Sequence, residues 1–182
     1  MVLVESIKLP LGTPVQDFAL KGIDGNTHSL ALHKSAKVLV LVFMCNHCPY
    51  AQAVWPRLNA LALEFAPLGV QFLGINPNIN NPDYGEETFE KMKEYARKFK
   101  MTFPYLADDS QEVAKAYRAQ CTPDIYVFDK ERKLVYHGRV DDNWKEPDKV
   151  TRHELKDALK QILAGTAPEV QNPSIGCSIK WK

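Results

Sequence analysis

Two cysteines three residues apart, in Cys45-Asn46-His47-Cys48-Pro49, carry the most readable chemistry in this chain. A pair at this spacing can close a disulfide across a tight turn, and a helix N-terminus beside it stabilises a thiolate. The pentapeptide stands where an unbroken apolar run, Val38 to Met44, gives way to apolar residues at helical spacing, Val54, Leu58, Leu61, Ala62 and Phe65. Such a run reads as a strand buried on both faces, and the turn leaving its C-terminal end for a helix is where α/β sheets present reactive groups. Thiol-disulfide exchange through Cys45 and Cys48 is therefore the expected chemistry, with Cys48, in the first helical turn, the better placed to ionise. His47, when protonated, would stabilise that thiolate further; the competing expectation is a solvated loop histidine.

The elements that must position this turn follow from the pattern. Asp17 to Leu20 and Thr27 to Leu30 flank the turn signal Gly22-Ile23-Asp24-Gly25-Asn26, which predicts a short hairpin. The strand from Lys37 to Met44 leads through the cysteine turn into a helix with Pro56 inside it, which predicts a kink. A second buried strand, Val70 to Asn76, precedes a turn-rich loop from Pro77 to Gly85 and a charged amphipathic helix, Glu86 to Phe99. Phe103 to Leu106 reads as a short extended segment, and Ser110 can cap a helix through Ala119. The charged turn Asp129 to Lys133 joins Ile125–Phe128 to Leu134–Val140 as an antiparallel pair. A last helix runs from about Asp148 to Leu163 and ends at Gly165 and Pro168. Arg139, Asp141 and Asp142 read as a solvated strand end, and residues 168–182 as an extended tail without regular structure. The expected class is α/β: one domain over residues 1–182, a central mixed sheet with helices on both faces and an N-terminal hairpin extension.

Bulk composition narrows the function. At 182 residues, 45% apolar and 25% charged, the chain can bury about 70% of its unfolded surface and needs no disulfide to fold. A net charge of +1 and the lack of a basic stripe among aromatics argue against nucleic acid or membranes as partners. The segment from Met1 to Lys8 lacks the apolar stretch of a signal peptide, so a cytoplasmic location is expected. In a reducing compartment, four cysteines are catalytic, metal-binding or simply buried rather than structural disulfides. A zinc site would need Cys121 and Cys177 to complete the Cys45/Cys48 pair, yet no second close pair appears, so neither metal nor cofactor is expected.

A paired-cysteine turn after the first buried strand, with Thr122-Pro123 before a later hairpin, resembles the thioredoxin fold. The fuller match is to the redoxin family of peroxiredoxin-like and thiol-disulfide oxidoreductase proteins. Pro14 to Leu30 is similar to that family's lead-in and Gly138 to Asp142 to the stretch after its hairpin, so the resemblance covers Gly12 to Leu163. It implies a thioredoxin-like fold, and a cis-proline loop at Pro123 with the Thr122 backbone turned toward an extended substrate. It also implies a register. Cys48 precedes Pro56 by the spacing at which the family's nucleophile precedes its helix-kinking proline, which puts the usual second cysteine at Ala51 and leaves Cys45 upstream. The alternative alignment, with Cys45 as nucleophile and Cys48 as the buried partner, needs an insertion in the helix. Cys45 also stands where peroxiredoxins carry a threonine, and Val42 where thioredoxins carry a buried aspartate. Proton transfer would then fall to His47, water or another group.

Three readings follow. The leading one is a thiol-disulfide oxidoreductase using Cys45 and Cys48 without a cofactor, acting on thiol or disulfide-containing proteins or small molecules, with electrons from an external thiol reductant. A peroxiredoxin-like peroxidase with an antioxidant role would use Cys48 as the peroxidatic thiol, resolved by Cys45, Cys121 or Cys177. A redox-inactive binding module would use its cysteines for zinc or for packing. Cys121, beside Thr122-Pro123, and Cys177, in the tail, are the additional candidate redox thiols.

Overall fold

A computed structural model of the chain describes residues 3–182; Met1 and Val2, which open the segment read for a leader, lie outside the described residues. In chain order the strands are β1 (Leu3–Glu5), β2 (Ala19–Gly22), β3 (Thr27–Ser29), β4 (Val38–Phe43), β5 (Val70–Asn76), β6 (Tyr105–Ala107), β7 (Cys121–Thr122), β8 (Asp124–Phe128), β9 (Leu134–Gly138) and β10 (Ile175–Ser178). The helices are α1 (Pro49–Phe65), α2 (Phe89–Lys98), α3 (Glu112–Ala116) and α4 (Glu154–Leu163). Seven strands form one sheet in the order β3-β2-β6-β5-β4-β8-β9. β4, β5 and β6 run parallel, while β2 and β3 at one side and β8 and β9 at the other are antiparallel. This is the thioredoxin-like mixed sheet with its N-terminal hairpin.

Why β4 reads as continuous rather than alternating is clear from its two faces. Val38, Val40 and Val42 pack with α1, α2 and α4, whereas Leu39, Leu41 and Phe43 pack with α3 and the hairpin residue Leu20. Both faces are covered, so no position favours a polar side chain. α1 is anchored by Trp55, which is 1% exposed and meets Tyr95, Phe99 and Tyr105 edge-on at centroid distances of 6.3, 4.6 and 5.8 Å. Pro56 lies inside α1 and leaves the Gln52 carbonyl without its helical donor.

Several elements differ from the sequence expectation, each for a local reason. α2 starts at Phe89 rather than Glu86, because the Thr88 hydroxyl accepts the Lys91 N–H at 3.2 Å and caps the helix there. α3 is confined to Glu112–Ala116, bracketed by left-handed Gln111 and Arg118 at φ 62° and 53°. The last helix begins at Glu154, since Asp142 takes the Thr151 and Arg152 N–H groups at 2.9 and 3.1 Å and only a short 3-10 turn forms at Pro147–Lys149. Arg139 and Asp141 are not a solvated strand end. Arg139 makes a bidentate pair with Glu154 at 2.8 and 2.9 Å, and Asp141 pairs with Arg57 at 2.5 Å. The tail carries β10, which joins β1 and β7 in a second, three-stranded antiparallel sheet. Among the described residues no helix is long and apolar enough to cross a membrane.

Trp55→Ala should lower stability by about 3–5 kcal/mol through lost burial and the cavity left behind. Urea unfolding checks this, and a loss below about 1 kcal/mol would show that α1 is anchored elsewhere.

Candidate active site

The turn leaving β4 is fixed before any thiol is considered. Met44 N–H donates to the Ile75 carbonyl at 2.9 Å, continuing the sheet one residue past β4. Asn46, fully buried, accepts from the Tyr105 hydroxyl at 3.0 Å and donates to the Glu86 carbonyl at 2.7 Å. The Asn46 carbonyl accepts from the Gln52 side chain at 2.5 Å. Cys48 is the N-cap of α1, in extended conformation with Pro49 at the first helical position, and its Sγ accepts the Ala51 N–H at 3.5 Å.

The Thr122–Pro123 peptide bond is cis, and its loop lies against both sulfurs. Cys48 Sγ is 3.0 Å from the Thr122 carbonyl oxygen, and Cys45 Sγ is 3.3 Å from the Thr122 hydroxyl. On β10, Cys177 lies opposite Thr122, the residue that meets both sulfurs. All four cysteines are buried thiols. Cys121 Sγ instead faces the carbonyls of Pro123 and Ser174 at 3.7 and 3.9 Å. The site thus gathers Cys45, Cys48, Thr122, Pro123 and Cys177, with Cys121 turned to backbone oxygens.

These contacts drive the thiols apart in acidity. The hydrogen bond from Cys45 pulls Cys48 down to about 5 against the cost of burial, helped by Thr122, the Ala51 N–H and Cys177. Burial, the bond to Cys48 and the nearby Glu87 charge push Cys45 well above the ordinary thiol range. Burial and the bond to Cys48 push Cys177 up to about 12, and burial with the Asp124 charge pushes Cys121 up. One thiol is therefore lowered while its neighbours Cys45 and Cys177 are raised. The Thr122 carbonyl can accept only from protonated Cys48, so ionisation turns that contact repulsive and leaves the sulfur lone pairs available for attack.

His47 is not a solvated loop residue. Its side chain is 12% exposed, stacks on Tyr84 at 4.7 Å, and places Nδ1 2.5 Å from the Glu87 carboxylate and 3.9 Å from Cys45 Sγ. Glu87, 0% exposed, also accepts the His47 N–H at 2.8 Å and the Asn76 side chain at 2.8 Å. Glu87 escaped the sequence reading because Glu86-Glu87 looks like the solvated start of a charged helix. Cys45, His47 and Glu87 offer ligand atoms within 4.8 Å of one another, the one cluster among the described residues that could hold a metal ion. A metal there would have to displace the His47–Glu87 hydrogen bond.

A second buried network lies behind the proline loop and was likewise missed. Asp124 accepts from His137 Nε2 at 2.9 Å and from the Tyr126 hydroxyl at 3.0 Å. His137 Nδ1 accepts the Leu9 N–H at 3.3 Å, which leaves the ring proton on Nε2. Val42 is buried among apolar groups, so the carboxylates near the thiols come from Glu87 and Asp124 instead. Beside Pro123 a small pocket of about 50 Å³ opens between Val54, Val140, Trp144 and Ile175, with Tyr50 and Trp144 in ring contact at 4.1 Å.

The chain belongs to the AhpC/TSA family, whose model matches residues 11–137, and this membership makes it a redox enzyme. It is 27% identical over 160 residues to the thiol-disulfide oxidoreductase ResA of Geobacillus thermodenitrificans, covering 87% of this chain and 81% of that protein. The crystal structure of an uncharacterized conserved protein from Geobacillus kaustophilus is similar over 100% of this chain and 97% of its own, at 45% identity and a TM-score of 0.92. The thioredoxin domain of a thiol-disulfide oxidoreductase from Bacteroides vulgatus shares the fold at 20% identity and a TM-score of 0.61, over 71% of this chain and 89% of that one.

Alkylation of Cys48 should fall with a midpoint near pH 5, rather than the roughly 8.5 of a free thiol. Because burial slows reagents, the midpoint and not the rate is the readout, and Cys45→Ala should move it upward. The folded-state pKa is depressed, so ionisation favours the folded protein. Its stability advantage over Cys48→Ser should grow from about pH 5 to about 8.5 and vanish below 5. A midpoint of about 8.5, that of an unperturbed thiol, would remove this assignment.

Proposed function

We propose that the protein is a thiol-disulfide oxidoreductase in which Cys48 attacks and Cys45 completes the dithiol pair. The observation that carries this is that both sulfurs meet Thr122 of the cis-proline loop at the α1 N-terminus, Cys48 at 3.0 Å from its carbonyl oxygen and Cys45 at 3.3 Å from its hydroxyl, with Cys48 lowered and Cys45 raised. Cys48 thiolate attacks one sulfur of a disulfide; the S–S bond breaks, a substrate thiolate leaves, and a mixed disulfide forms. Cys45 then gives its proton to the substrate thiolate just released and attacks Cys48 Sγ. The second substrate thiolate departs, leaving substrate reduced and the Cys45–Cys48 bond formed. An external thiol reductant reverses these steps, and no cofactor is needed. The relative named thiol-disulfide oxidoreductase supports this reading. Stabilising the thiolate favours the reduced enzyme, so the pair should be more oxidising than one at about −270 mV. A reducing compartment such as the cytoplasm would keep it cycling.

The family match favours a second reading, a peroxidase in which Cys48 takes the distal oxygen of a hydroperoxide, releases the alcohol and condenses with Cys45, with loss of water. Among the described residues no cation is hydrogen-bonded to Cys48 Sγ. Arg57 and Arg139 are paired with Asp141 and Glu154, and the groups that lower Cys48 are thiols, Thr122 and a backbone N–H.

With a small aromatic disulfide as substrate and a dithiol as donor, Cys48→Ser should reduce turnover to background and Cys45→Ser should reduce it severalfold. Undiminished turnover in both would overturn the proposal. Peroxide consumption with the same donor at a rate well above free cysteine would move the function to the second reading. Metal analysis of untagged protein, with thiols counted before and after chelation, tests the binding-module alternative: about one zinc per chain would exclude dithiol exchange.

A further inference from the structure

A disulfide partner approaching Cys48 along an extended backbone would have to lie on β7, because Thr122 is the residue that touches the sulfur. β7 is only two residues long, and an exposed strand edge of this kind is a template for strand addition. In this protein the edge is already taken. β10 runs antiparallel to it, with Cys177 opposite Thr122 and Ser178 opposite Cys121. The approach is so close that a Cβ on Gly176 would stand 2.0 Å from the Thr122 carbonyl oxygen and 2.6 Å from its carbonyl carbon. Glycine is therefore what lets the strand lie flat on the proline loop.

β10 is also held on its far side. Leu3 and Val4 of β1 pair with Cys177 and Gly176, Ser174 N–H donates to Ser6 Oγ at 3.0 Å, and Lys180 N–H donates to Asn78 Oδ1 at 2.8 Å. The strand is thus a fixed wall of the site. It places Cys177 opposite Thr122, whose carbonyl oxygen is 3.0 Å from Cys48 Sγ, and leaves Cys48 0% exposed.

We propose that β10 stands where a substrate strand would lie, and that Cys177 is a second partner thiol which takes the disulfide over from Cys45. This rests on the exchange reading above. Cys177 thiolate attacks Cys48 Sγ of the Cys45–Cys48 disulfide; the Cys48–Cys177 bond forms as the Cys45–Cys48 bond breaks. Cys45 leaves as a thiolate and takes up a proton, matching the one Cys177 released to solvent, so no net oxidation occurs. Closure of the first disulfide itself prepares Cys177, since it removes the Cys48 thiolate that held the Cys177 proton. The external reductant then meets a disulfide that includes the C-terminal strand rather than the innermost thiol.

The test is disulfide mapping after oxidation with one equivalent of diamide, acid quench, alkylation and peptide mass spectrometry. Cys45→Ser is expected to give a Cys48–Cys177 linked peptide as its main product. Wild type is expected to give a Cys48–Cys177 fraction that is lost in Cys177→Ser, where only Cys45–Cys48 remains. Gly176→Ala, by forcing β10 off the proline loop, should lose the Cys177 link and keep Cys45–Cys48, with cooperative urea unfolding as the check on its fold; the Cys45→Ser result stands whether or not this variant folds. Absence of any Cys177-linked peptide in both wild type and Cys45→Ser would overturn the proposal. Failure of the exchange reading looks different: Cys48 would then take up no oxidising equivalent in any pairing.

Discussion

The antiparallel register between β4 and β8 sets Phe43 opposite Asp124, and the site depends on it. The chain leaving β4 and the chain entering β8 are brought to the same end of the sheet. The cysteine turn and the cis-proline loop therefore face each other across 74 residues of sequence, with Cys48 Sγ and the Thr122 carbonyl 3.0 Å apart. β5, parallel to β4 on its other side, ends at the same level, and its last residue, Asn76, holds Glu87 under His47. A one-residue slip in either pairing would invert every side chain on the strand and separate these groups.

Within that frame the electrostatics are a matter of few, well-chosen donors. Burying four thiols raises all of them unless something stabilises an anion, and here Cys48 alone, at the helix N-terminus with the Ala51 N–H on its sulfur, is lowered. The charge of Glu87 is kept one residue away, matched by His47 and the His47 and Asn76 N–H groups, so it opposes ionisation of Cys45. Two acids of unlike strength therefore sit side by side, and low local polarity enlarges the difference.

How much of this was legible in the sequence depends on range. β4, the cysteine turn and α1 are contiguous, and their patterns are strong: a run buried on both faces, then a 3.6-residue period, with a proline just inside the helix. The hairpin, β5 and the β8–β9 pair were readable for the same reason. β1, β7 and β10 are two to four residues long, too short for any period to show, and they exist only because each finds a partner far along the chain. Glu87 and the Asp124–His137–Tyr126 network were hidden differently. Charged residues are expected outside, and only their distant partners make burial tolerable. Cys177 could be named as a candidate thiol, while its place on β10 opposite Thr122 needed the three-dimensional pairing.

The late position of β10 bears on how the protein is made. A ribosome delivers the sheet core and Cys48 first, and the strand that covers this sulfur comes out on the order of ten seconds later at ~5–20 residues per second. During that interval the nascent chain carries Cys48 with no β10 over it, alongside Cys45 and, later, Cys121. Mispairing and oxidation are then kinetic hazards of biosynthesis rather than of the finished enzyme. Long-range closure by a terminal strand is also the slowest kind of contact to form, so the protection of the reactive sulfur and the completion of folding are the same event.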